Sequence, residues 1–166
     1  MNSSRYQQGS GLVEVLVALL LLSVGVMGFI ALQVRAASTG NEAFARTQAM
    51  AIAQDLAERV RVNARQVPFY TTAGNWRLNG NITACETNVC TPAQVAQYDI
   101  DNVVNSAATL LPNGQVRMQQ CPGSLGNCVL VSWDDTNPTV GAGDQDCITL
   151  AGLYRNNATC VMMEAY

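Results

Sequence analysis

Polar and apolar positions divide the chain into contrasting stretches. From Leu12 to Val34 the only side chains with polar atoms are Glu14, Ser23 and Gln33. At 1.5 Å of rise per residue, this run predicts a helix of about 35 Å, long enough to cross the hydrocarbon core of a bilayer. From Ala36 to Gln66 the pattern becomes periodic. Ala45, Ala49, Ile52, Leu56 and Val60 recur every three or four residues and predict one apolar stripe on an amphipathic helix. Glu42–Arg46 and Asp55–Arg59 stand at i,i+4 spacing, each pair worth roughly 0.3 kcal/mol. Thr39, Gly40 and Asn41 are expected to loosen this helix locally, and Pro68 to end it. The two stretches together predict a helix of about 50 residues, lipid-soluble first and amphipathic afterwards.

Beyond Pro68 the signals shorten. Asn79-Gly80 within Trp76–Thr83 predicts a hairpin. Thr91-Pro92-Ala93-Gln94 predicts a helix start, with Thr91 as cap, proline in the first position and Gln94 closing a capping box. Ile100, Val103, Ala107 and Leu110 supply that helix with an apolar face. Pro112-Asn113-Gly114 turns the chain into GQVRMQQ, and Cys128–Trp133, Cys147–Tyr154 and Cys160–Tyr166 read as further strands. A long helix, a small helix and then an antiparallel sheet make an α+β fold.

Composition narrows the chemistry. With 166 residues and one membrane segment, there is room for a single globular domain of roughly 100 to 130 residues. Net charge is −3, charged residues make up 13%, and no dense basic patch for phosphate contacts occurs, so no direct nucleic-acid binding is expected. The chain has no histidine, which removes the commonest general base and the commonest metal ligand together. Six cysteines, Cys85, Cys90, Cys121, Cys128, Cys147 and Cys160, all lie beyond the apolar run and suit an oxidising compartment. Of the possible pairings, Cys85–Cys90, Cys121–Cys128 and Cys147–Cys160 are expected, because each brackets an apparent turn. Their spacings are not those of a zinc ribbon, and no C-x-x-C redox motif is present. Asp134, Asp135, Asp144 and Asp146 cluster in DDTNPTVGAGDQD, where calcium is weighed against ordinary turn chemistry and the turn is favoured. Asn81-Ile82-Thr83 and Asn157-Ala158-Thr159 match the glycosylation pattern by accident. No nucleophile elbow or phosphate loop appears, no two carboxylates are marked out for one cleft, and no cofactor or metal is expected.

One residue breaks the apolar run. An ionised Glu14 in hydrocarbon costs several kcal/mol (roughly 3) unless a partner or the interface rescues it, so it marks a functional site. Ahead of it stand Arg5, Gln7, Gln8 and Gly9, with Glu14 at the fifth position after Gly9. This arrangement resembles the prepilin signal of type IV pilins, and LVEVLVALLLLSVGVMGF is especially similar to PilV-type minor pilins of Gram-negative bacteria. The resemblance implies cleavage by prepilin peptidase between Gly9 and Ser10 on the cytoplasmic side, then methylation of the new Ser10 amine. Family members usually begin with Phe and Thr where Ser10 and Gly11 stand, and often carry a proline where Ala31 stands. Gly25 and Gly28 either replace that flexibility, form a small-residue contact face, or are simply tolerated in a membrane helix.

The resemblance implies a type IV pilin-like fold: leader 1–9, transmembrane half-helix 10–35, amphipathic half-helix 36–67, and an α+β head 68–166 on a small disulfide-stapled antiparallel sheet. TPAQVAQYDIDN, LPNG and VLVSWDD are also similar to PilV-type heads. Arg5 and Arg35 flank the span almost evenly, so the cysteines and the processing site decide the orientation: leader inside, head periplasmic. A secretory signal fits less well, since the run is too long and lacks an A-x-A site. The implied role is a non-enzymatic minor pilin that helps start pilus assembly in the inner membrane and sits at or near the tip of the surface pilus. Motility, adhesion or DNA uptake are its outputs. The implied partners are other minor pilins, the major pilin, the assembly platform and a tip-associated adhesin. Glu14 is then expected to neutralise a neighbouring subunit's terminal amine. Two alternatives stand beside this: a minor pseudopilin of a type II secretion system, and a membrane-tethered periplasmic enzyme or binding module. Gly9→Val is predicted to block processing. Intact-mass measurement should then find the nine leader residues retained, and a variant still cut after residue 9 would contradict it.

Overall fold

The computed structural model describes residues 10–77 and 84–165. The first element, α1, runs from Ser10 to Val62, 53 residues without a break. Contacts divide the chain after Glu42 into two compact parts.

In the first part every described side chain from Gly11 to Asn41 is exposed. An 18-residue window of this helix reaches a mean hydropathy of 2.8, and its length and composition suit a membrane span. The expected loosening at Thr39–Asn41 does not occur. Ser38 and Thr39 donate their hydroxyls back to the Arg35 carbonyl at 2.9 and 3.0 Å, so the helix absorbs these polar residues internally. A Cβ on Gly25 or Gly28 would meet nothing within 4 Å, so packing within this chain does not require either glycine.

In the second part the periodic half of α1 lies against the rest of the chain. Ala49, Ile52, Leu56 and Val60 are buried as the stripe predicts, joined by Ala53 and Ala57. The short helix α2 (Val67–Tyr70) follows. Pro68 sits in its first turn, so proline opens this helix, and α1 has already ended at Val62. Helix α3 (Pro92–Leu110) begins with the expected capping box between Thr91 and Gln94. Ile100, Val103 and Ala107 face inward, but Leu110 is half exposed and Leu111 is the buried leucine, because the backbone turns extended there. The expected hairpin fails at its first arm, since Trp76 and Arg77 lie outside any strand; its tip and second arm fall outside the described residues.

The sheet is built from β1 (Gln115–Gln120), β2 (Asn127–Ser132) and β5 (Cys160–Glu164), antiparallel in the order β1-β2-β5. Val116 pairs with Val131 and Met118 with Val129, and these four pack on α1 and α3. Leu130, on the opposite face of β2, packs with Ile148 and two disulfides. The central strand is therefore buried on both sides, which its unbroken CVLVS run reflects.

Two expectations for the remaining chain need correction. The aspartate-rich loop contains a strand, β3 (Asn137–Gly141), and its partner β4 (Asp146–Thr149) runs parallel to it. Parallel neighbours ordinarily need a long crossover. Here Asp146 folds the short return onto itself, accepting hydrogen bonds from the Thr139 hydroxyl and the Gly143 N–H. A Cβ on Gly141 would stand 2.3 Å from that carboxylate, so the closeness depends on glycine. The strand expected over Cys147–Tyr154 stops at Thr149 and doubles back at Gly152 (φ 80°), with Thr149 N–H donating to Leu153 O at 2.8 Å. Leu56→Ala, at the centre of the helix–sheet core, is predicted to cost about 3 kcal/mol. Urea unfolding of the full chain in detergent measures this, and a loss below about 1 kcal/mol would contradict the packing described.

Candidate functional site

Glu14 is the fifth residue of α1 counted from Ser10. Val13, Val17, Ala18 and Leu21 surround it on one face of the helix. Among the described residues no hydrogen bond or ion pair engages its carboxylate. Gly9, the other half of the expected processing site, lies outside the described residues, and Ser10 is the first described residue of α1. Among the described residues, the backbone N–H groups at the start of α1 and the positive end of its dipole are what lie nearest the carboxylate along the helix. A charge so placed is tolerable at a headgroup interface. In an apolar surrounding the charged form carries a desolvation cost unless a cation offsets it or the carboxyl takes up a proton.

All six cysteines are in disulfides. Cys85–Cys90 closes a loop immediately before the Thr91 cap of α3, with its Cα atoms 5.6 Å apart. Cys121–Cys128 ties the β1–β2 hairpin (5.0 Å), and Cys147–Cys160 joins β4 to β5 and so connects the two sheets (5.9 Å). The latter two are buried with Leu130 and Ile148, which makes them part of the core.

Asp134, Asp135 and Asp144 border a polar hollow of about 340 Å³ together with Thr136, Gln145 and Asn157. The fourth member of the cluster, Asp146, is turned to Thr139 and Gly143 instead. Among the described residues no three His, Cys, Asp or Glu side chains are placed to hold a metal ion.

A second polar cluster was not anticipated. Asp99 on α3 is buried, accepting a hydrogen bond from the Tyr70 hydroxyl at 2.6 Å and from the Arg59 guanidinium at 3.0 Å. Arg59 also pairs with Asp55 at 2.9 Å, and Asn63 donates to the Pro92 carbonyl at 2.8 Å. These contacts fasten the end of α1 to α2 and α3. Burial, reinforced by the bond to Asp99, raises the Tyr70 hydroxyl pKa far above its ordinary value. For Arg59, burial acts to lower the pKa, but hydrogen bonds to Asp55 and Asp99 outweigh it and the net shift is upward. A sequence signal existed: position 99 falls between Ala96 and Val103 on the apolar side of α3.

An amino-terminal helix long and apolar enough to cross a bilayer, followed by a disulfide-braced α+β unit, fits a membrane-anchored protein. Two family models match the chain. The prokaryotic N-terminal methylation motif covers residues 4–30, and the Tt1218-like family, described as type IV pilin Tt1218, covers residues 31–101. With the fold, these adjoining matches support a type IV pilin with a prepilin-type amino terminus. No curated protein and no solved structure matches it.

Asp99→Ala is predicted to destabilise the α+β unit by about 2–3 kcal/mol, since it leaves Tyr70 and Arg59 short of a partner. The raised Tyr70 pKa also sets a pH dependence. Its contribution is complete below the unfolded tyrosine pKa of about 10 and is lost as pH rises above that, because only the unfolded chain ionises there. Denaturant titrations of the wild type and Tyr70→Phe across this range test it. The wild type should lose stability more steeply, and parallel curves would contradict the assignment.

Proposed function

We propose that this chain is a PilV-type minor pilin that helps initiate type IV pilus assembly and is carried at or near the pilus tip. The observation that carries the proposal is Glu14, a lone carboxylate on a helix whose surface from Leu12 to Val34 is apolar on every side. In this reading prepilin peptidase cuts between Gly9 and Ser10 and methylates the new amine. The mature chain then waits in the inner membrane, amino terminus cytoplasmic and α+β unit periplasmic. Residues 10–35 form the membrane half of α1, residues 36–67 the amphipathic half and its sequel, and residues 68–166 the head.

Assembly follows from electrostatics. While the helix is in the bilayer, Glu14 lies near the headgroups and keeps some hydration. On entry into a fibre, water leaves, and the carboxylate must meet a positive charge or bear its desolvation cost. The terminal amine of a neighbouring subunit supplies that charge, and the pair selects both the neighbour and its axial register. The three disulfides suit a head that is folded in the periplasm and then exposed outside the cell. The partners in this reading are other minor pilins, the major pilin, the assembly platform and a tip-associated adhesin, with motility and adhesion as outputs. The similarity of TPAQVAQYDIDN and VLVSWDD to PilV-type heads supports a pilus over a secretion system.

Glu14→Val is predicted to leave the protein stable and membrane-inserted but to reduce its amount in sheared pili at least tenfold. Equal amounts from variant and wild-type cells would overturn the proposal. Deletion should abolish pili while exoprotein secretion continues; the opposite pair of outcomes would assign the chain to a type II secretion system.

A further inference from the structure

The sheet ends at β5, and among the described residues no strand pairs with its outer side. Open edges are templates for adding another strand, and natural proteins blunt them with charges, prolines or bulges. This edge has little of that protection. The strand CVMME carries one charge, Glu164, no proline, and a regular register against β2. Ala165 N–H donates to Asn127 O in β2 at 2.8 Å, so by alternation Val161 and Met163 also turn their N–H groups toward β2, and Met162 turns its own outward. The outward Met162 N–H donates to the hydroxyl of Tyr154 at 3.0 Å.

Tyr154 is held in place for this. It bridges to Ile148 beside β4, and its neighbours complete the ladder: Thr149 N–H donates to Leu153 O at 2.8 Å and Arg155 N–H to Cys147 O at 3.1 Å. The segment starts and ends at the Cys147–Cys160 disulfide, whose second cysteine is the first residue of β5. The phenol end therefore stands against the edge at its middle residue, on a loop whose two ends cannot leave.

We propose that Tyr154 guards the open edge of β5, and that the strand it excludes is the β5 of a second copy of this chain. Two such strands pair antiparallel about Met162 with Glu164 opposite Cys160, so no like charges meet. By occupying the one outward N–H at the strand's centre, Tyr154 stops the α+β units from joining sheet to sheet. Association of the chain is then left to surfaces elsewhere on the molecule.

The test uses full-length protein in detergent micelles, as wild type, Tyr154→Phe, and Tyr154→Phe combined with Met162→Pro. Proline at 162 removes the outward N–H, which β2 does not use, along with the Met162 side chain that packs beside Leu130 and the disulfides. In Tyr154→Phe at high dilution, the Met162 amide should exchange about five- to tenfold faster, while those of Val161 and Met163 stay unchanged and so report an intact fold. At raised concentration, sedimentation should show additional self-association in Tyr154→Phe, reversed in the double variant. Unchanged exchange at Met162, or wild-type sedimentation of Tyr154→Phe, would overturn the proposal. The exchange measurement decides it even where the proline variant fails to fold.

Discussion

The constraint that orders this molecule is apolar surface that its own chain leaves uncovered. Between Leu12 and Val34 every large apolar side chain is about half exposed or more, from Val26 at 48% to Leu12 at 72%. Sequestering a side chain of this size is worth about 1.5–3 kcal/mol, so the stretch as a whole represents tens of kcal/mol, more than a domain's entire folding stability. Such a surface is satisfied by lipid or by other helices. Within that setting, Glu14 is the one ionisable side chain between Leu12 and Val34. That carboxylate stands four residues after Ser10, within the stretch that matches the N-terminal methylation motif.

The later turns of α1 obey the opposite rule. There the apolar residues are confined to a stripe, and the α+β unit buries it: small residues Ala49, Ala53 and Ala57 alternate with Ile52, Leu56 and Val60 against α3 and the sheet. Close approach of two helices and a sheet leaves little space for long side chains, which accounts for the alanines. At the far end of α1 the buried Asp99, with Tyr70 and Arg59, adds a directional contact to a seam that is otherwise non-directional. Behind β2, the disulfides Cys121–Cys128 and Cys147–Cys160 occupy the place where a larger domain would put more leucine and valine. In a small unit, disulfides can substitute covalent bonds for core volume.

Much of this was legible in the sequence, and the exceptions share a cause. The apolar run, the helical stripe and the capping box at Thr91 are local patterns, and the structure follows each of them. What escaped notice depended on residues far apart in sequence. Asp99 falls on the apolar side of α3, but its role appears only when Arg59 and Tyr70, 40 and 29 residues away, are brought to it. The parallel pairing of β3 with β4 was hidden because DDTNPTVGAGDQD has turn composition. Its strand appears only through Asp146 gripping Thr139 and Gly143, with Gly141 leaving room. The early end of the strand at Thr149 reflects Gly152, whose left-handed backbone a run of apolar letters did not suggest. For the carboxylate of Glu14 the sequence supplied the position. Among the described residues no partner for it is found, and the proposed one belongs to another subunit.

The most direct measurement is zero-length carbodiimide cross-linking of purified pili that contain this chain, followed by peptide mass spectrometry. The chain contains no lysine, so the amine it can itself offer to a carboxylate is its amino terminus. The account predicts a peptide in which Glu14 is joined by an amide bond to the amino-terminal residue of a different pilin subunit. Recovery of Glu14 only in unlinked peptides, from pili whose other buried carboxylate–amine pairs do cross-link, would contradict it.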